Sequence, residues 1–407
     1  MNALFSSWET AIDYQIVHRD TLTVMPLAVA VLEKNGAQAA GGLSTGLLNW
    51  SVSHQPHVLR LRTVAPVNNL NTLDNAYADD LRQIGLTLDT FNAMIVPGGM
   101  HPLMDPFRDQ VMDQPKSEKG HLYRELFGCA GHAWVNQCPT KMSLPFPDDE
   151  AFGRLHAAVR IVLPIIPALC ASSPLVEGRC NGMRDNRLRY LRTRYLNFPA
   201  VGGKMIPEPV FGEKKYREQI YGAIARDLIG TAAEGKIDPA QLNNRAAVPD
   251  FNRRLLEIRI MEPQECPAAE MAIIKLITEL IKALTEEKFI SFEEQVEARM
   301  EILCGVLADT IEQGGKAEVF SSEYLSFFGM NEVSSVAGIW RKVFETLSMD
   351  PLKPLALYEK ELSVILDQGC LADRIITVLG EKPHPEAIRQ LWLRLADCIR
   401  QNKLLIL

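Results

Sequence analysis

Several short stretches of this chain carry charged or polar side chains at alternate positions, the spacing that gathers them on one face of a strand. In the run Pro139-Thr-Lys-Met-Ser-Leu144, Pro139, Lys141 and Ser143 share one face and Thr140, Met142 and Leu144 the other. Residues 11–17 group Ala11, Asp13 and Gln15; residues 57–63 group Val58, Arg60 and Arg62; residues 253–261 group Leu255, Glu257, Arg259 and Met261. A guanidinium beside a carboxylate, as at Arg259 and Glu257, can hold a phosphate or carboxylate, or can close as an ion pair within the sheet. Both readings stand. Arg187, in Asp185-Asn-Arg187, can grip a ligand carboxylate through two parallel N–H donors, or can fix its own loop through Asp185. Cys138 and His132 raise the question of a thiolate nucleophile, but no orienting acid accompanies them. His101 and His132 read as structural, and His54 and His57 show no third ligand that would make a metal site.

Strands and loops must present these groups. The first strand is expected over residues 11–17, followed by a helix over about 26–34 and a Gly/Ala/Ser-rich loop over Asn35–Leu47. A second strand follows at 57–63, an amphipathic helix at about 70–84 and a strand at 93–97. That last strand enters the loop Gly98–Pro106. After Leu144, the turn Pro145–Glu150 leads into an apolar helix over about 151–171, kinked at Pro164 and Pro167. The polar loop 171–178, the basic stretch Arg187–Tyr195 and a loop-to-strand segment at Gly202–Phe211 come next. From about Ala268 the pattern turns helical. This texture places a mixed part at 1–265 and a helical part at 266–407.

The totals are those of a globular protein. The 407 residues are 47% hydrophobic and 23% charged, with a net charge of −7, which argues against disorder. The basic residues are dispersed rather than striped, so nucleic acid is not an expected partner. No run of eighteen apolar residues occurs, so no membrane span is expected, and the first residues do not read as a signal peptide. Eight cysteines without a Cys-x-x-Cys pair read as buried reduced thiols in a cytoplasmic protein, not zinc ligands or a disulfide framework.

An ordered series of motifs resembles the type-2 glutamate–cysteine ligases and related ATP-dependent carboxylate–amine ligases. It comprises Gly99-Met-His-Pro102, Met104-Asp-Pro106, Gly131-His132 with Trp134 and Asn136, Leu144-Pro-Phe146 and Leu155-His-Ala-Ala158. It continues through Ala171-Ser-Ser-Pro174, Val176-Glu-Gly178, Asp185 with Arg187, Ile206–Phe211, Glu257-Ile-Arg259 and Gln264-Glu-Cys-Pro267. Together these cover roughly residues 13–400. The resemblance implies an α+β, glutamine-synthetase-like curved antiparallel sheet, a saddle with flanking helices and a helical C-terminal segment. It also implies ATP as nucleotide and Mg²⁺ held by carboxylates and one His, with a carboxylate activated as an acyl phosphate and joined to an amine.

The same comparison marks departures. Where the family carries two Glu in the first strand, this chain has Ala11 and Asp13. An Asn-Glu pair falls on Val52-Ser53, a further Glu on Arg60, a His on Lys141 and an Asn on Ser143. Ammonium and guanidinium groups cannot coordinate Mg²⁺ and they repel it, so no metal ligand is assigned and the family's Mg²⁺ site is expected to be lost. Arg60 and Lys141 then either form an anion site where the family has a cation site, or reflect drift, each pairing a nearby acid. The catalytic candidates are Glu257, Arg259 and Arg187; the substrate- or anion-binding candidates are Arg60, Lys141, Asp13 and Ser143. The leading function is a carboxylate–amine ligase by descent. The alternative is a non-catalytic relative binding an anionic small molecule or a protein partner, and a metal-free transferase lies between them. A small-molecule carboxylate or other anion is the expected partner, and a homo-oligomer is left open.

Overall fold

Strand β1 (Glu9–His18) runs through the middle of an eight-stranded sheet in which each strand pairs antiparallel with its neighbours. The computed structural model describes residues 3–37, 42–109 and 118–407. On one side of β1 lie β4 (Val58–Thr63), β3 (Leu48–Val52) and the two-residue β2 (Leu43–Ser44). On the other side the first half of β1 pairs with β6 (Thr140–Pro145) and its second half with β5 (Ala93–Val96). Beyond β6 come β10 (Leu255–Met261) and the edge strand β9 (Ala247–Asp250). A small hairpin, β7 (Leu175–Val176) with β8 (Arg179–Cys180), and a later pair, β11 (Glu318–Val319) with β12 (Ser334–Ser335), stand apart.

Alternation along the strands separates two chemistries. Ile12, Tyr14, Ile16, Leu59, Leu61, Met142, Leu144, Leu256, Ile258 and Ile260 are buried in one hydrophobic core. The apolar faces of the helices Leu70–Asp89, Asp149–Val162 and Pro267–Thr285 complete that core. Burying each such side chain stabilises by about 1.5–3 kcal/mol, which fixes the register, because a one-residue slip would turn this row outward. The opposite face carries Asp13, Arg60, Lys141, Ser143, Glu257 and Arg259. The core runs unbroken past residue 265: Trp340, Val343, Leu362 and Ile365 belong to it.

The helix entries follow local rules. Asn69 accepts from Asn71 N and Thr72 N at the start of Leu70–Asp89, and Asp148 accepts from Ala151 N ahead of Asp149–Val162. The long apolar helix ends at Val162, where Pro164 imposes a 3₁₀ turn before Pro167–Cys170.

Three expectations need correction. Gly202–Phe211 does not enter a strand: the helix Pro199–Gly202 is followed by irregular chain with one isolated bridge, Lys204 to Ile206, consistent with the missing ladder donors of Pro207 and Pro209. Strands β3 and β9 were not anticipated. Of the loop expected at Asn35–Leu47, residues 38–41 lie outside the described residues, and Leu43–Ser44 forms β2. None of the described helices is long and apolar enough to cross a membrane.

Candidate functional site

The ladder registers bring the polar face together. Asp13 lies directly opposite Arg60 across β1 and β4, Ala11 opposite Lys141 across β1 and β6, and Ser143 opposite Glu257 across β6 and β10. A β-bulge between Ile258 and Met261 interrupts the ladder beside Lys141, and such a bulge re-aims the side chains next to it.

Asp13 is only 2% exposed and fully engaged. Arg60 Nε donates to its Oδ1 at 2.6 Å, Arg60 Nη2 to its Oδ2 at 2.7 Å, and Ser53 Oγ to Oδ2 at 2.7 Å. Burial raises the Asp13 carboxyl, but the Arg60 guanidinium and the Ser53 hydroxyl outweigh it and hold the group below the usual carboxylate range. Lys141 Nζ lies 3.6 Å from Glu257 Oε1, and Arg259 Nε donates to the same oxygen while its Nη1 donates to Asn243 O at 2.9 Å. Burial pulls Lys141 down to about 8, with Arg259 and Arg60 pushing the same way and Glu257 opposing. Burial raises Glu257, but Arg259 and Lys141 overcome it and bring the carboxyl to about 2.

Asp13, Ser53, Arg60, Lys141 and Arg259 line a cavity of about 120 Å³, with Glu257 just behind its wall. Arg60, Lys141, Arg187, Arg194 and Arg259 all reach its wall, and Asp13 is the carboxylate among them. Arg187 is held from behind: its Nε lies 3.3 Å from Glu262 Oε1 and its Nη2 donates to Met261 O at 3.0 Å. Glu262 in turn accepts from Ser173 Oγ at 2.6 Å and from the Ser172 amide. Asp185 instead caps the helix Asn186–Leu191 by accepting from Leu188 N at 2.7 Å, which sets Arg187 in its first turn. Ser143 shares the face but lies outside the cavity wall, next to Glu257. A wider groove of about 650 Å³ between Arg154, Phe211 and Phe292 shares no residue with this face.

Arg194, Trp134, His54 and Asn244 also line the cavity, and none was singled out as a site residue from sequence. The signal for Arg194 was the basic stretch 187–195 and for Trp134 its place in the motif with Gly131, His132 and Asn136; His54 drew notice only as a metal ligand, and Asn244 gave no signal. Cys138 and His132 are not joined: Gln15 Nε2 donates to Cys138 Sγ at 3.4 Å, while His132 meets Glu177 at 3.2 Å. His101 is structural, its Nδ1 accepting from Leu103 N and Met104 N and its Nε2 donating to Leu22 O at 2.7 Å. All eight thiols are free, four of them buried and four partly exposed. Among the described residues no three His, Cys, Asp or Glu side chains converge on a point that could hold a metal ion.

An antiparallel sheet backed by helices carries this charged pocket on its open face, and the family match makes the chain a carboxylate–amine ligase-like protein. The chain belongs to the glutamate-cysteine ligase family 2, whose family model matches residues 36–304. It is 25% identical over 271 residues to an uncharacterized protein of Archaeoglobus fulgidus, covering 67% of this chain and 73% of that one. Its fold is similar to that of glutamate–cysteine ligase from Francisella tularensis in complex with AMP. That match has a TM-score of 0.60 and 11% identity and covers 97% of this chain and 89% of that chain. A bifunctional glutathione synthetase from Pasteurella multocida is similar at TM-score 0.59 and 12% identity; the match covers 97% of this chain and about half, 52%, of that one.

Proposed function

We propose that this chain uses the open face of a ligase-type sheet to bind a small anion without a divalent metal, and that acyl-phosphate turnover has been lost. One observation carries the reading: both carboxylate oxygens of Asp13 are taken by Arg60, at 2.6 and 2.7 Å. Mg²⁺ needs several hard oxygen ligands at about 2.0–2.1 Å. To recruit Asp13 it would have to break a buried bidentate pair and approach the Arg60 guanidinium. Glu257 is likewise shared between two cations, Lys141 and Arg259. The donor set therefore does not fit Mg²⁺. The same arrangement suits an anion, because cations outnumber acids on the cavity wall.

Family membership supports a second reading, an ATP-dependent ligase. Calorimetric titration of ATP, inorganic phosphate and glutamate, each with Mg²⁺ and then with EDTA, separates the two. Anion binding that is unchanged by EDTA supports the metal-independent site. Binding that vanishes in EDTA overturns it and restores the ligase, to be followed by phosphate release with glutamate and amines.

A further inference from the structure

Four of the five cavity cations are already paired with carboxylates: Arg60 with Asp13, Arg187 with Glu262, and Lys141 and Arg259 with Glu257. Arg194 differs from them. Among the described residues no carboxylate lies within ion-pair distance of it, and its buried Nε has no hydrogen-bond partner. What holds it is aromatic. The guanidinium carbon sits 3.6 Å from the centre of the Trp134 ring, and Trp134 stacks on Phe127 at 5.5 Å with an interplanar angle of 25°. A guanidinium resting on a ring is fixed through its face and keeps its edge, the N–H fork, for a planar acceptor. Its Nε has lost water without gaining a hydrogen-bond partner, which costs free energy.

The charge count points the same way. Five cations meet Asp13, Glu257 and Glu262, so the cavity keeps surplus positive charge at neutral pH. We propose that Arg194 is the anchor of the cavity's ligand, and that the group it grips is a carboxylate or phosphate oxyanion of a small molecule. The assignment rests on the metal-independent reading above. The cavity, about 120 Å³, has room for an oxyanion with a short tail.

Calorimetry in EDTA with inorganic phosphate, and separately with succinate, tests the assignment on the full chain. The wild type, Arg194→Gln, Arg194→Lys and Arg62→Gln are compared, Arg62 being an exposed arginine of β4 that does not line the cavity. Arg194→Gln is expected to weaken binding by at least about tenfold, the loss of one charge-assisted contact. Arg194→Lys, which keeps the charge but not the fork, falls between, and Arg62→Gln binds as the wild type does. Preference for phosphate or for succinate identifies the oxyanion. Equal affinity of Arg194→Gln and wild type overturns the anchor while leaving metal-independent binding in place. No saturable binding of either anion by the wild type overturns both.

Discussion

Lys141 Nζ and Arg259 Nε converge on a single oxygen, Oε1 of Glu257, so one carboxylate holds two cations at the edge of the cavity. Removing its charge should release both toward solvent-borne anions. Glu257→Gln is expected to tighten binding of inorganic phosphate about fivefold, roughly 1 kcal/mol once solvent and salt screen the charge. Calorimetry on the variant checks it, and weaker binding would contradict the assignment of Glu257 as a counter-charge.

Acid stability follows from the same pair of contacts. Glu257 titrates at about 2 in the folded chain against 4.5 ordinarily. A depressed folded value means stability that is present above the unfolded pKa and lost as pH falls through the folded one. Urea unfolding between about pH 4.5 and pH 2 should show this loss, and Glu257→Gln should flatten that part of the profile.

Lys141 has the opposite sign. Its folded value of about 8 lies below the ordinary 10.5, so between these values the unfolded chain carries the extra proton and this group raises stability as pH increases. Anion affinity moves the other way: it should fall as pH rises through about 8, when the ammonium facing Glu257, Arg259, Arg60 and Asp13 loses its charge. Lys141→Arg, charged throughout, is expected to remove that inflection from a calorimetric pH series.

Arg60→Ala strands the Asp13 carboxylate in a nearly closed site, and losing one partner of a buried pair costs about 3–5 kcal/mol. Replacing both, Asp13→Ala with Arg60→Ala, should recover most of that. A double-mutant cycle by urea unfolding measures the coupling; additive losses would mean the pair is not cooperative.

Gly99→Ala probes the support behind Arg187. A Cβ at Gly99 would collide with the Glu262 carboxylate, and that carboxylate is pinned by Ser172, Ser173 and Arg187. Overpacking of this kind costs about 1–3 kcal/mol. Thermal unfolding should register it, together with weaker anion binding if Arg187 shifts.

The polar face was legible in sequence because period-two alternation survives wherever one face of a strand is buried. The alternation alone puts Asp13, Arg60, Lys141 and Glu257 on it. Strand β3, Leu48–Val52, escaped because it is short and follows a Gly-rich stretch; β9 escaped because Pro249 argues against a strand interior, although an edge strand tolerates it. Arg187 and Arg194 stand in one basic run, and their different fates depend on distant chain. Glu262 captures the first from 75 residues away, whereas the second meets Trp134, in the short helix His132–Val135. Residue type alone could not separate a paired arginine from an unpaired one.

The Asp13–Arg60 pair also bears on how this chain can change over generations. The two stand directly opposite on neighbouring strands, so an acid at position 60 would set two carboxylates face to face, and a neutral residue at 13 would isolate a guanidinium. Either single substitution is worse than both together. The two positions are therefore constrained as a unit, each choice of side chain limiting what the other can be.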